Sequence, residues 1–468
     1  MNRNQKNASS IYHPFKKNHW AGVNWLKAEK AVTNLQHRIT KANKRGEHRK
    51  VRDLQRLLNR SLSARLKAVR IVAQENSDKN TPGIDGQVWS FPNQKLQAAL
   101  ELRMKRRPKP LRRVHIAQSN GQMRPLWIPC MEDRARQALW NFSLLPCVEA
   151  KSDQCYGWNR GYDLNAQIRN LLEKPSSPSW ILNIEIEKDF DKIHHHWLIE
   201  NTPMEIKTLK SWLKVGSIES FAFFPTEKDT QSGIISTLEN STLAGLEDFI
   251  KKWIKQSSRI NKNSKKVKQT TCFNLIRYAN NMIVIGPRQQ QLERVKKAIE
   301  KFLKPRGLKI NQDKTTIRHI NDGFDFLGWN FRKYKKNNNK FLCTISKKSL
   351  SNHRKEIKYL TKTIHSPEHL VIQLNSTIRS WMNSHRCCNG IWKEWGHMNK
   401  YIFERLMKWG QKRHGNKTRK WVFNKYWKRI NKRWTFVIFS KKTSYMLMHY
   451  DFKIQKIKNT RNKKPIKC

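Results

Sequence analysis

Apolar residues recur at helical spacing near the start of the chain. Val32, Leu35, Ile39 and Ala42 form one stripe, and Val51, Leu54, Leu58, Leu62, Leu66 and Val69 form a second. The spacing predicts two helices, each with one buried face. Gly46 marks a turn between them, ringed by Lys41, Lys44, Arg45, Arg49 and Lys50. That loop suits phosphate contact, and it equally suits plain solvation. TPGIDG at 81–86 is a turn signal.

Further along, the period changes. In WILNIEIEKDF (180–190), Leu182, Ile184 and Ile186 alternate with Asn183, Glu185 and Glu187, which predicts a strand that turns Glu185 away from the core. The run 251–270 carries many bases and no acid, and it reads as a mobile basic insertion before a hairpin at 274–286. Within that hairpin, RYANNMIVIG (277–286) sets two asparagines between β-favouring flanks. A two-residue turn at Asn280 and Asn281, both at positive φ, follows from that pattern. After GFDFLGW (323–329) the helical period returns: Met398, Ile402, Leu406 and Trp409 share a face. A domain boundary is expected near residue 345.

Charge changes the picture. Against 35 acidic residues stand 95 lysines and arginines, a formal net charge of +60. That excess exceeds what solubility needs and points to a polyanionic partner. The 18 tryptophans are interleaved with the bases, so some could offer rings to unpaired nucleobases while the majority pack in cores. At 468 residues, 37% of them hydrophobic, the chain can bury sizeable cores in two to four domains.

Eight cysteines (130, 147, 155, 272, 343, 387, 388 and 468) include no C-x-x-C pair, which argues against both a zinc site and a disulfide framework and points to a reducing compartment. No stretch reaches the ~20 continuous apolar residues of a membrane span, and the polar start lacks the apolar core of a secretory signal.

Several segments, taken in order, resemble the group II intron-encoded proteins, which combine a reverse transcriptase with a maturase. They are LQHRITKA, LQRLLNRSLSARLKAVRIV, TPGIDG, RPLWIP with DRARQALW, CYGW, FDKIHHHWL, TQSGIIS with LAGLE, YANN, GLKINQDKT and GFDFLGW. IRSWMNSHR and LMKWGQKRHGNKTRKWVFNKYW look like the maturase domain X. The resemblance covers about 24–445. It implies an α+β, right-hand polymerase-like architecture: an N-terminal basic extension (1–23), helical fingers (24–175), a palm (176–345), an all-α thumb or domain X (346–445) and a basic tail (446–468). The C-terminal HNH endonuclease of the family is expected to be absent.

In that family, three carboxylates on neighbouring palm strands hold two Mg²⁺ ions that activate the primer hydroxyl and neutralise the leaving group. Here the first falls on Glu185, and the Y-A-D-D pair falls on Asn280 and Asn281. Amide oxygens are neutral, so two formal charges are lost. Asp191 falls on the last aspartate of the palm strand motif, usually a structural one. Other motifs depart as well: QSGIIST places Ser232 in a glycine slot and leaves no proline beside Thr237, while YGWNRGYD places Asn159 and Tyr162 where the family has arginines. The resemblance therefore implies a splicing maturase whose polymerase site is degenerate, with no catalytic residue and no metal held by the protein. Mg²⁺ would be required by the intron RNA.

The expected partner is structured group II intron RNA, contacted by the bases of the first loop and by Arg379, Lys393, Arg405, Lys412, Arg413, Arg419, Lys420 and Lys425. Other splicing factors are compatible with this reading, and the sequence does not fix the oligomeric state. For Trp381, Trp395, Trp409, Trp421 and Trp427 core packing is favoured over base stacking. His194, His195 and His196 are adjacent and diverge on any regular backbone, which argues against a shared metal. Asp85 and Asp133 read as turn and packing residues. Alternative readings are a residual polymerase in which Glu185 and other acids, such as Glu187 or Asp189, still hold metal, and a general RNA chaperone. On family grounds the plastid is the expected compartment, ahead of the mitochondrion and then a bacterium.

Overall fold

The computed structural model describes residues 20–76, 78–103, 107–117, 123–151, 161–174, 177–187, 193–215, 217–219, 222–224, 235–260, 273–334, 340–430, 433–438 and 444–445. Asn159, Asp189, Asp191 and Ser232 lie outside them, as does the basic tail, and the side chain of Tyr162 is likewise not described.

In chain order, the first half holds α1 (Trp25–Lys44), α2 (His48–Arg60), α3 (Leu62–Arg70), α4 (Pro92–Glu101), β1 (Leu111–Ala117), β2 (Met123–Ile128), α5 (Met131–Lys151), α6 (Gly161–Leu172) and β3 (Trp180–Glu185). Then follow α7 (His195–Asn201), α8 (Ile206–Leu213), β4 (Ser217–Glu219), β5 (Ala222–Phe224), α9 (Ile235–Thr242), α10 (Leu246–Ile260), β6 (Asn274–Tyr278), β7 (Asn281–Gly286) and α11 (Gln289–Leu303). The last part holds β8 (Thr316–His319), β9 (Phe324–Phe326), β10 (Trp329–Tyr334), β11 (Lys340–Ile345), α12 (Lys347–Thr363), α13 (Pro367–His385), α14 (Ile391–Arg413), α15 (Arg419–Tyr426), β12 (Trp427–Ile430), β13 (Arg433–Ile438) and β14 (Ser444–Tyr445).

The chain divides into two compact units, each built from non-contiguous segments: 1–155, 186–267 and 297–310 in one, and 156–185, 268–296 and 311–468 in the other. In the first unit, α1 begins where Asn24 caps the Lys27 N–H at 3.0 Å, and it buries Val32 and Ile39. These meet Leu58, Leu66, Ala135 and Leu139 in a shared core. The second predicted helix is in fact two. Ser61 takes an extended backbone (φ −66°, ψ 129°) and serves as the boundary between α2 and α3, a break that the unbroken apolar spacing hides. A four-stranded sheet of order β2-β1-β4-β5 completes this unit, with β1 and β4 parallel. The basic stretch expected as a mobile insertion is helical up to Ile260 within α10, because apolar Phe249, Ile250 and Ile254 keep the helical period; residues 261–270 lie outside the described part.

The second unit holds an antiparallel sheet of order β6-β7-β3-β8 and a smaller one of order β11-β10-β9. Ile181, Ile283 and Ile285 join Phe326, Phe331, Leu374, Ile402 and Leu406 in one core, so the strands and the C-terminal helices share their apolar interior. Ser346, Ser366 and Thr418 cap α12, α13 and α15. The expected C-terminal helices are present, and three strands follow them in the order β12-β13-β14. The β-favouring run Trp434, Thr435, Phe436, Val437, Ile438 explains this addition.

Candidate functional site

Strand β3 lies between β7 and β8, and it buries Leu182 and Ile184 while Asn183 and Glu185 stay partly exposed on the other face. The alternation thus sets Glu185 on the face opposite Leu182 and Ile184, as the sequence indicates, while Ile181 at the other end of the Glu185 face is buried in the core. The β3–β7 register sets Glu185 opposite Asn281 and Ile184 opposite Met282. Asn280 is buried in the adjoining turn. Glu185, Asn280 and Asn281 are therefore neighbours.

The hairpin itself differs from the sequence reading by one residue. Tyr278 pairs with Asn281, so the turn residues are Ala279 and Asn280. Ala279 takes the positive φ, 49°, and the asparagines do not. Asparagine tolerates that region better than alanine, yet cross-strand register places the turn one step earlier.

Lys314 completes the arrangement. The Asn311 N–H donates to the Glu185 carbonyl at 2.8 Å, and the Asn311 side chain accepts from the Lys314 N–H at 3.1 Å. This turn carries the Lys314 ammonium to 2.8 Å from Glu185 Oε1. A cation attached to the chain neutralises the one carboxylate retained at the three positions. Asp313 and Asp325 line the same open cleft of ≈ 1140 Å³, together with Asn281, Lys348 and His353. Among the described residues, no three His, Cys, Asp or Glu side chains converge in a way that could hold a metal ion.

The other candidates fall into place around local needs. His194 Nδ1 lies 3.1 Å from the Pro305 carbonyl, His196 lies 3.1 Å from Glu200, and burial pushes His195 below the usual imidazole range. Asp85 accepts from the Gln87 N–H and the Lys109 ammonium. Asp133 is buried against Arg136 at 2.9 Å and accepts from the Lys109 N–H at 3.1 Å. Burial pushes its carboxyl above the usual range despite the Arg136 charge.

The candidate RNA-contacting bases separate into two groups. Lys41, Lys44, Arg49, Arg379, Lys393, Lys412 and Lys420 are exposed, whereas Arg45 and Lys50 flank Glu47 at 3.7 and 2.9 Å. Arg405 is half-buried and donates to Thr361 Oγ1 and the Lys358 carbonyl; Arg413 donates to the His365 carbonyl at 2.7 Å; Arg419 pairs with Glu404 at 3.2 Å.

Of the five tryptophans singled out, Trp395, Trp409 and Trp427 are buried and Trp381 is half-buried. Trp421 is exposed, with the Lys417 and Lys425 ammonium groups 5.7 and 4.8 Å from its ring. Sequence reasoning missed Lys314 and Lys417, and it missed the exposure of Trp392 beside Lys393. The K-x₃-W-x₃-K spacing around Trp421 was the available signal for Lys417.

A palm-type sheet with the YANN turn at its edge, followed by a helical region rich in bases, defines the class: a reverse transcriptase-type chain. Three family models match in chain order: the N-terminal domain of reverse transcriptase over 20–102, reverse transcriptase (RNA-dependent DNA polymerase) over 108–331, and the group II intron maturase-specific domain over 350–427. The chain belongs to the group II intron-encoded reverse transcriptase and maturase proteins.

Protein YkfC of Escherichia coli is 27% identical over 291 residues, which cover 53% of this chain and 75% of that protein. Maturase-like protein 1 of Euglena gracilis is 24% identical over 339 residues, covering 69% and 67%. Group II intron-encoded protein LtrA of Lactococcus lactis subsp. cremoris is 29% identical over 153 residues, covering 31% of this chain and 26% of that one. Among solved structures, telomerase of Candida albicans in complex with a telomeric RNA fragment aligns over 69% of this chain and 62% of that chain, at 10% identity and a TM-score of 0.36.

Proposed function

We propose that this chain is a group II intron maturase that binds intron RNA and promotes its folding and splicing, and that it no longer synthesises DNA. The observation that carries the second half is the Glu185–Lys314 pair beside Asn281. Two Mg²⁺ ions repel each other, and only several convergent anionic oxygens offset that repulsion. At the three positions there is one carboxylate, and it is already neutralised by Lys314.

RNA binding rests on the +60 charge, the maturase-specific segment and the exposed bases on α1, α13, α14 and α15. The RNA performs the transesterifications and binds the catalytic Mg²⁺. The protein supplies phosphate neutralisation and shape recognition. Production inside an organelle, the plastid first, belongs to the same reading.

The test is splicing of candidate group II introns at low Mg²⁺, with and without the purified protein, alongside primer extension on the same preparation. Splicing rescue without DNA synthesis supports the proposal. DNA synthesis by the unaltered chain overturns its second half and favours a residual polymerase, for which Asp313 and Asp325 in the cleft of Glu185 are further carboxylates.

A further inference from the structure

The sequence argues against disulfides because its cysteines have no regular spacing, yet the fold gathers three of them. Cys343 lies on β11 opposite Phe331, and Cys387 and Cys388 lie in the turn between α13 and α14. All three are buried free thiols. The three lie in one buried cluster, and the Cys388 thiol interacts electrostatically with both Cys343 and Cys387.

Asn389 fixes the strand to the turn through two backbone contacts. Its N–H donates to the Cys343 carbonyl at 2.7 Å, and its side-chain oxygen accepts from the Cys343 N–H at 3.0 Å. The Asn165 side chain donates to Cys343 Sγ at 3.2 Å. Arg169 is held against this group by Asn165, by the Cys387 carbonyl at 3.1 Å and by Asn389 at 2.9 Å. Neither the degenerate palm site nor the exposed bases use any of these residues.

We propose that Cys343 and Cys388 are an oxidisable dithiol, and that their disulfide welds strand β11 to the α13–α14 turn. Cys387 is excluded as the partner of Cys388 by geometry, because adjacent residues have Cα atoms ~3.8 Å apart, below the ~4.4–6.8 Å that an unstrained disulfide spans. Asn389, the neighbour of Cys388 in the chain, is hydrogen-bonded to both backbone groups of Cys343, so Cys343 is the partner that Cys388 can reach without that strain.

The chemistry divides the two roles. Interaction with Cys388, hydrogen bonding from Asn165 and the nearby Arg169 charge hold the Cys343 thiol below the usual thiol range, while its interactions with both neighbours push Cys388 up. The Asn165 amide on its sulfur and the Arg169 charge nearby give Cys343 the attacking role in this proposal. With hydrogen peroxide as oxidant, its sulfur attacks one oxygen, the O–O bond breaks, and hydroxide leaves and takes up the thiol proton as water. Cys388 sulfur then attacks the resulting sulfenic sulfur, the S–O bond breaks, and a second water leaves with the Cys388 proton. Two thiols and one peroxide give one disulfide and two waters.

The experiment is peroxide treatment of the full-length protein under native conditions, alkylation of the remaining thiols, and peptide mapping without reductant. The expected result is one linked peptide pair joining Cys343 to Cys388, reversed by dithiothreitol, with a higher unfolding midpoint for the oxidised form. Cys130, whose thiol burial pushes up to about 11, is the internal control and stays unlinked. The Cys387→Ser variant keeps the link, and Cys388→Ser loses it. A Cys387–Cys388 link, a link to another cysteine, or the persistence of both thiols through a peroxide titration overturns the proposal. The unaltered chain decides the outcome even where a variant folds poorly.

Discussion

The Lys314 ammonium stands 2.8 Å from Glu185 Oε1, and Asn281 faces Glu185 across the β3–β7 ladder. A side-chain cation and a neutral amide thus occupy the surroundings of the one carboxylate retained at the three positions. Lys314 is about half exposed, so the pair contributes little to folding. The Lys314→Met variant is expected to lose no more than about 1 kcal/mol of stability in urea unfolding. A loss several times larger would mean that Lys314 holds the sheet together rather than answering a local charge.

Charge restoration separates a missing ligand set from a lost scaffold. Glu185→Asp combined with Asn280→Asp and Asn281→Asp rebuilds three carboxylates at neighbouring positions. Primer extension with Mg²⁺ or Mn²⁺ is expected to be absent in the unaltered protein and detectable in this triple variant. Extension by the unaltered protein would refute the degenerate-site reading.

Exposed and braced bases are expected to behave differently. Lys420 is free to meet phosphate, so Lys420→Ala should lower the slope of log affinity against log salt by about 0.7–0.9 if it meets one phosphate, without changing thermal stability. Arg405 holds Thr361 and the Lys358 carbonyl, and its replacement by alanine should lower the unfolding midpoint. Filter binding across a salt series, paired with thermal melts, distinguishes the two.

His353 stacks flat on Trp381 with ring centroids 4.4 Å apart, and burial, with His385 nearby, pushes it down to about 4. Burial lowers His385 as well. Both are neutral in the folded chain at pH 7, and the unfolded chain takes up protons first. Stability is therefore fully present above the ordinary imidazole range and falls as pH drops from about 6.5 towards 4, by up to ~3 kcal/mol from His353 alone. Urea midpoints at pH 7 and pH 5 test the sign. The difference should shrink in His353→Phe, which keeps a flat ring on Trp381.

Gly83 tests a close approach of two backbone segments. A β-carbon there would lie 2.6 Å from Cys130 Cα and 2.7 Å from its nitrogen, so the backbone itself must move. Gly83→Ala should cost ~1–3 kcal/mol. Circular dichroism melts check the value.

Strand β3 was legible because its alternation decided both its burial and the direction of Glu185, and the helical stripes located α1 to α3 because one buried face leaves a clear period. Lys314 was not legible, since its partner lies 129 residues away and only the sheet brings them together. The turn was read one residue late because local asparagine preference says nothing about register. Ser61 broke an apolar stripe that stayed in phase across it. Arg405 and Arg413 look like surface charge in a sequence, and only the carbonyls they meet reveal them as braces.

The shared interior of the second unit limits how this protein can be dissected. Ile181, Ile283 and Phe326 enter the same core as Leu374, Ile402 and Leu406, although the chain between them leaves that unit and returns. A fragment starting at residue 346 would carry the maturase-specific helices and leave their apolar face bare to water. It would be expected to aggregate, so reagents for testing RNA binding should keep the whole chain and silence its parts by substitution.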